Sequence, residues 1–260
     1  MMKPQTHFTH PLDWLHQAPS LVLGHHWIFT PEHPLWQSHS QQWPTIPQPL
    51  PRAVGHYYQL LWRLWIQSHP MLDLVAEEIQ IQGEQRTLGA IDFIVHNKIN
   101  HRFEHWEVAC KFYLAYQGQW LGPNASDSLT RKMTHMLAHQ LPLSQHDTIA
   151  KRWPIKARRL ILQGRLYTAR DQNQKYALIQ ENSGWQINPN ALQGWWRYQP
   201  YQGDEPILQL HKPNWLTQAR ATPVTSHQLD PHQSTHIVDP LGQFGFIMPQ
   251  SWPNLGPSAV

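Results

Sequence analysis

Hydrophobic and polar positions alternate most regularly between residues 77 and 116, and the elements predicted there organise the rest of the chain. EEIQIQG at 77–83 alternates into a strand, and a turn at 83–85 leads into LGAIDFIV at 88–95. In the polar connector HNKINHR, Asn97 and Asn100 suit a hairpin loop. A second run, FEHWEVACKFYLAY, occupies 103–116. Both runs are apolar on alternate positions and nearly so on the others, the signature of strands covered on both faces. Over 52–67 the period changes: Val54, Tyr57, Leu61, Leu64 and Trp65 recur at helical spacing, and Ser68, His69 and Pro70 end the helix. A shorter helical piece is predicted at 71–76. The next helix is predicted over 126–140, capped by Ser126 or Asp127, with Leu129, Met133, Met136 and Leu137 as its buried stripe. RRLILQGRLYTAR at 158–170 reads as a strand pair or one strand kinked at Gly164, and 171–185 as a turn with a short strand. Further on, Asn190 and Gly194 bound a brief predicted helix, and QFGFIMPQ at 243–250 supplies one short strand.

Into the two apolar runs the chain places Asp92, Glu107 and Lys111. A charge in a buried strand costs several kcal/mol, roughly, unless it is paired or ligates a metal. Side chains alternate along a strand, so Glu107, Ala109 and Lys111 share a face, and hairpin pairing lets Asp92 lie beside it. Two carboxylates and an ammonium at a sheet edge form a plausible hard-cation site. Oxygen ligands hold Mg2+ or Mn2+, and the lysine orients a water or stabilises a charged phosphoryl transition state.

Composition narrows the class. The 260-residue chain can bury a full core, and its 14% charged residues with a mean hydropathy of −0.55 fit a globular protein. The net charge of +3 is too small to argue nucleic-acid binding by itself. The single cysteine, Cys110, excludes an intrachain disulfide and fits a reducing compartment. The opening residues lack the apolar run of a signal peptide and no stretch reaches membrane-spanning length, so a cytoplasmic protein is expected. P-loop, GxGxxG, GxSxG and CxxC motifs are lacking. Residues 1–51 are rich in Pro, His and Trp, and Trp14, Trp27, Trp36 and Trp43 are expected to pack against the core, with a short helix near Leu12–His16.

PLDWL at 11–15, LGAIDFIV, HWEVACKFYL, LGPN with Asp127, Leu129 and Lys132 after it, HQL and QGWW together resemble a bacterial family of unknown function. That family is assigned by distant similarity to the PD-(D/E)XK nuclease superfamily. The resemblance covers most of the chain. It implies an α/β protein with a restriction-endonuclease-like core, a mixed central β-sheet flanked by helices, and Trp/Pro-rich N- and C-terminal extensions. Residues 1–51 are then an arm, 52–170 the core and 171–260 the C-terminal extension. The superfamily places its acid two residues before the lysine. Here Ala109 stands there and Glu107 lies two residues further back, adding about 6–7 Å of strand. A bulge could recover the geometry.

The implied function is metal-dependent hydrolysis of phosphodiester bonds, with Asp92 and Glu107 holding Mg2+ or Mn2+ and Lys111 acting on the water or the developing charge. Lys132 and Gln140 are candidates for substrate contact by the same resemblance. The densest basic cluster, with Lys156, Arg158 and Arg159 at its centre, suits a phosphate backbone. Ala109 points to an alternative, a catalytically degenerate module that binds nucleic acid or a protein partner. A carbohydrate-binding reading rests on the 14 tryptophans alone. Glu77 and Glu78 lie where a further acid could join the site. His135 and His139, four apart on a helix, have zinc spacing but no evident third ligand.

Overall fold

In the computed structural model, residues 8–37, 42–170, 184–201 and 206–254 are described. The chain opens with α1 (Pro11–Gln17), β1 (Val22–Leu23) and α2 (Pro34–Gln37), followed by α3 (Val54–Ser68). The antiparallel strands β2 (Leu72–Gln82), β3 (Thr87–Asn97) and β4 (Arg102–Tyr116) come next, with β5 (Gln119–Leu121) folding back on β4. The helical segment that follows changes type along its length: α4 (Leu129–His135), a π turn (Met136–Gln140), a 3-10 turn (Leu141–Gln145) and α5 (Asp147–Ala150). The long strand β6 (Ile155–Ala169) then pairs parallel to β4.

After β6 come β7 (Gln186–Ile187), β8 (Gln193–Tyr198), β9 (Ile207–Gln209), β10 (Thr222–Val224), β11 (Thr235–Val238) and β12 (Phe244–Met248). All but β1 and β7, which pair with each other, join one mixed sheet of order β10-β9-β11-β12-β8-β6-β4-β3-β2. Its centre, β12, β8, β6 and β4, is parallel and its flanks are antiparallel. The fold is therefore mixed α/β, a large mixed sheet with few helices.

Burial follows from β-strand alternation. One face of β4 presents Trp106, Cys110, Phe112 and Leu114 to a core shared with Tyr58, Trp62 and Trp65 of α3. The other presents Ala109, Tyr113 and Ala115 to Leu129, Met133 and Met136 of α4 and its π turn. The amino-terminal arm packs on the core as expected, with Trp14 and Trp36 buried in it. It also lies along β6: Leu21 N–H donates to Leu162 O, Phe29 N–H to Leu160 O and Leu160 N–H to Trp27 O. β8 pairs with β6 only at Leu166–Ala169, so the arm satisfies backbone groups that β8 does not reach.

Two expectations are corrected. Residues 71–76 begin β2 instead of forming a helix; Leu74 and Ala76 pair with Val95 and Ile94 across a bulge, so the ladder with β3 overrides local helix propensity. The helix expected between Asn190 and Gly194 is absent, and Gln193–Tyr198 form strand β8. Gly194 permits the change, because a Cβ there would meet the Tyr167 ring at 2.5 Å and the Phe244 carbonyl at 2.7 Å. At 158–170 the structure has one strand, with Gly164 at φ +145°. Most of the turn and short strand expected over 171–185 lies outside the described residues.

Candidate active site

The β3–β4 ladder runs from Asn97 opposite Arg102 to Phe93 opposite Trp106 and stops there. At the next position the side chains replace it. Asp92 Oδ2 accepts from the Val108 N–H at 2.9 Å, and the Asp92 N–H donates to Glu107 Oε1 at 3.3 Å. The strands part because each carboxylate takes a backbone donor that the partner strand would otherwise hold. This divergence sets Asp92 and Glu107 side by side without a bulge in β4.

Glu107 is fully buried. Its Oε1 also meets His105 Nε2 at 2.7 Å, while Oε2 is buried with no hydrogen-bond partner among the described residues. Burial raises the Glu107 carboxyl to about 8. Burial and then the Glu107 charge raise Asp92 to about 7, and burial drops His105 to about 4. Asp92 Oδ1 also accepts a long bond, 3.4 Å, from Gln59 of α3. These are two acids held next to each other with less compensating positive charge than they need.

The cation that faces them is Lys132 of α4. It offsets part of the rise at both carboxyls, whereas burial, and then Lys111, depress its own pKa against the pull of Glu107, Asp92 and Asp127. Lys132 Nζ donates to Gln140 Oε1 at 3.1 Å. The π turn makes that contact possible: its wider i→i+5 winding brings Gln140 back toward the face that carries Lys132. Lys111 stands further along β4 and is tied to Asp127 at 2.6 Å, with the Tyr113 hydroxyl at 3.5 Å from the same carboxylate. Asp127 lies just before Ser128, whose side chain caps α4 by accepting from the Arg131 N–H.

Of the residues singled out in the sequence, Asp92, Glu107, Lys132 and Gln140 come together, and Lys111 lies beside them in its own ion pair. The basic cluster does not join them. Arg159 is bonded to the buried Glu104 at 3.0 Å, and Arg158 donates to Leu141 O and Ser144 Oγ. Burial works to raise the Glu104 carboxyl, but Arg159, Trp106 and Asn97 overcome it and hold the group below its usual range. Lys156 stays exposed on β6. Glu77 pairs with Arg63 at 2.6 Å, and Glu78 is exposed at φ +49°. The His135 and His139 rings lie 5.5 Å apart and tilted by 32°. Among the described residues no group of three or more His, Cys, Asp and Glu is placed to hold a metal ion.

Sequence reasoning missed Gln59, His105 and Asp127. Gln59 and Arg63, one turn apart, continue a polar stripe with His56 and Gln67 along α3, and that stripe was the available signal. His105 shares the face of Glu107 by strand alternation. Asp127 was marked only by its place in a capping loop and in the stretch that carries the family resemblance, neither of which assigns it to the site.

The two acids make stability depend on pH. In the unfolded chain they titrate near 3.8 and 4.5, in the fold near 7 and 8. Between those values the folded state binds more protons at these two groups, so their contribution to stability is full below about pH 4 and falls as pH rises toward 8, while the depressed His105 acts with the opposite sign between about pH 4 and its ordinary 6.5. A metal-free sample should lose about 1–4 kcal/mol between pH 5 and 8 in urea melts, with a shallower slope for Asp92→Asn. A flat profile would mean that the carboxyls are not raised.

No helix among the described residues is long and apolar enough to cross a membrane. Neither a curated protein nor a solved structure matches the chain. A family model described as a domain of unknown function, DUF1853, matches residues 2–239, so that its span takes in both strands of the carboxylate pair, the lysine helix and the sheet as far as β11; the chain belongs to that family.

Proposed function

We propose that the protein is a metal-dependent nuclease-like enzyme that hydrolyses phosphodiester bonds, built on a restriction-endonuclease-like arrangement of β2, β3, β4 and β6. The observation that carries this reading is the partnerless Glu107 Oε2 beside the Asp92 carboxylate where β3 and β4 separate. A buried acceptor left unsatisfied costs about 1–3 kcal/mol, a cost that a cation bound between the two carboxylates would offset.

The residues fit Mg2+ or Mn2+: both donors are hard carboxylate oxygens, burial and, at Asp92, the Glu107 charge raise both carboxyls, a cost that a bound cation would relieve, and two carboxylates suffice where water and substrate phosphate fill the remaining positions. When bound, such an ion polarises a phosphoryl oxygen and makes water a better nucleophile. Asp92 and Glu107 hold the ion, and Gln59 and the Val108 N–H fix the Asp92 carboxylate. His105 pins Glu107. Lys132, held by Gln140, presents its ammonium to charge that develops on the phosphate. With the acid at Glu107, two residues further from Lys111 than the superfamily's, the role first expected of Lys111 passes to Lys132: the cation comes from the helix, and Lys111 serves to hold Asp127.

The complete burial of Glu107 supports a second reading, the catalytically degenerate module, in which the Glu107–His105 pair is purely structural. Calorimetric titration separates the two. Mg2+ and Mn2+ should bind wild type, with an oligonucleotide present if phosphate completes the site, and binding should vanish in Asp92→Ala. No binding by wild type under either condition would leave the degenerate module.

A further inference from the structure

Two adjoining hollows open beside the Lys111–Asp127 pair. The first, of about 400 Å³, is lined by Ala53, Val54, Lys111, Asn124 and Asp127; the second, of about 570 Å³, by His211, His232 and His236. Lys212, Trp215 and Ser234 line both, so the indole of Trp215 stands where the hollows meet. Each is within the size range of small-molecule pockets.

Trp215 is half-buried and rigidly held. Its Nε1 donates to Leu210 O at 3.2 Å, and its ring stands at 81° to Phe112 and 77° to Phe246. The exposed Lys212 places Nζ 4.8 Å from the ring centre. The first hollow is rich in donors: Lys111, Lys212, Asn124, Ser234 and the amino end of α3, whose cap residue Ala53 makes no side-chain bond to the helix. Its one carboxylate, Asp127, is already neutralised by Lys111. In the wall of the second hollow, His236 is buried and its Nδ1 has no partner among the described residues. The combined chemistry is an anion pocket joined to a flat aromatic platform, with an imidazole nitrogen in the wall beyond it.

We propose that this groove is a subsite for one nucleotide of a single-stranded nucleic acid, a claim that deepens the nuclease-like reading and takes its substrate class from it. The phosphate lodges between Lys111, Lys212 and the amino end of α3, and the base stacks on Trp215 toward His236. A base can reach the indole only when it is unpaired, so the groove selects single strands over duplex. The Lys111–Asp127 pair joins the subsite to the carboxylate site and sets the bound nucleotide beside the bond to be cut.

The test is fluorescence anisotropy of a labelled oligothymidylate in EDTA, with wild type, Lys212→Glu and Trp215→Ala. Wild type should bind, with affinity falling as salt rises. Lys212→Glu, on an exposed side chain, should weaken binding at least tenfold, and so should Trp215→Ala; if Trp215→Ala fails to fold, Lys212→Glu alone decides. The same sequence as duplex should bind at least tenfold more weakly. No binding by wild type, or equal binding by Lys212→Glu, with calorimetric Mg2+ binding intact, overturns the subsite and leaves the metal reading standing. Binding that depends on Lys212 in a protein that takes up no metal upholds the subsite and removes the hydrolytic reading.

Discussion

Under the proposed hydrolytic function, a Lys132→Met protein is expected to lose Mg2+-dependent cleavage by about 10²–10³-fold in kcat/KM, the range for removing one positioned donor from a transition-state site. Methionine keeps the length of the side chain and removes the charge, so the fold of α4 has no reason to change. The sign of its effect on the metal distinguishes Lys132 from a ligand. Lys132 lowers the pKa of both Asp92 and Glu107, hence it competes electrostatically with any cation placed there. Its removal should leave calorimetric Mg2+ affinity unchanged or tighter while turnover falls; Asp92→Ala should lose both. Lys111→Met, which breaks the pair with Asp127, should act more on KM than on kcat. If Lys111→Met abolishes turnover and Lys132→Met does not, the strand lysine is the working cation.

Gly164→Ala should be the most damaging single methyl in the molecule. Gly164 pairs with Lys111 across the central β4–β6 ladder, and a Cβ there would lie 1.7 Å from the Lys111 carbonyl oxygen and 2.7 Å from its carbon. Both atoms belong to the backbone of β4 where it is laddered to β6, not to a flexible side chain, so neither can yield cheaply. The φ of +145° adds strain for any L side chain. A loss of more than about 4 kcal/mol is expected, which lowers Tm by roughly 8–16 °C for a chain of this size. Gly55→Ala is the control. Nothing lies within 4 Å of a Cβ there, and alanine favours the helix, so Tm should hold or rise slightly. Equal melting of the two variants would contradict the close packing of β4 on β6.

The core of the sheet was legible because periodicity is local. β3, the hairpin at Asn97 and Asn100, and β4 all follow from alternation, as does α3 from its helical spacing. What failed was decided by distant partners. β2 begins at Leu72 because β3 offers Asn97 and His96 to its first two residues and Val95 and Ile94 to Leu74 and Ala76, and Gln193–Tyr198 extend because β6 and β12 take them between. At the site, the acids were found because charge in an apolar strand is rare. Which lysine faces them was not, because strand alternation ranks Lys111 while the winding of a π turn, invisible to a hydrophobic stripe, governs the approach of Lys132 and Gln140. The partner of Arg159 was not legible, because a guanidinium on an interior strand reads the same whether it meets solvent or a buried acid such as Glu104.

The arm that lies along β6 has a consequence for synthesis. Leu21 and Phe29 dock on backbone groups of Leu162 and Leu160, roughly 130–140 residues later in the chain. At translation rates of about 5–20 residues per second, the arm waits roughly 7–30 s outside the ribosome before its partner exists. Until then Leu21 and Phe29 lack that partner, and Trp14 and Trp36 have only Tyr58, Trp62 and Trp65 of α3 to pack against, which would suit the nascent arm to a ribosome-associated chaperone.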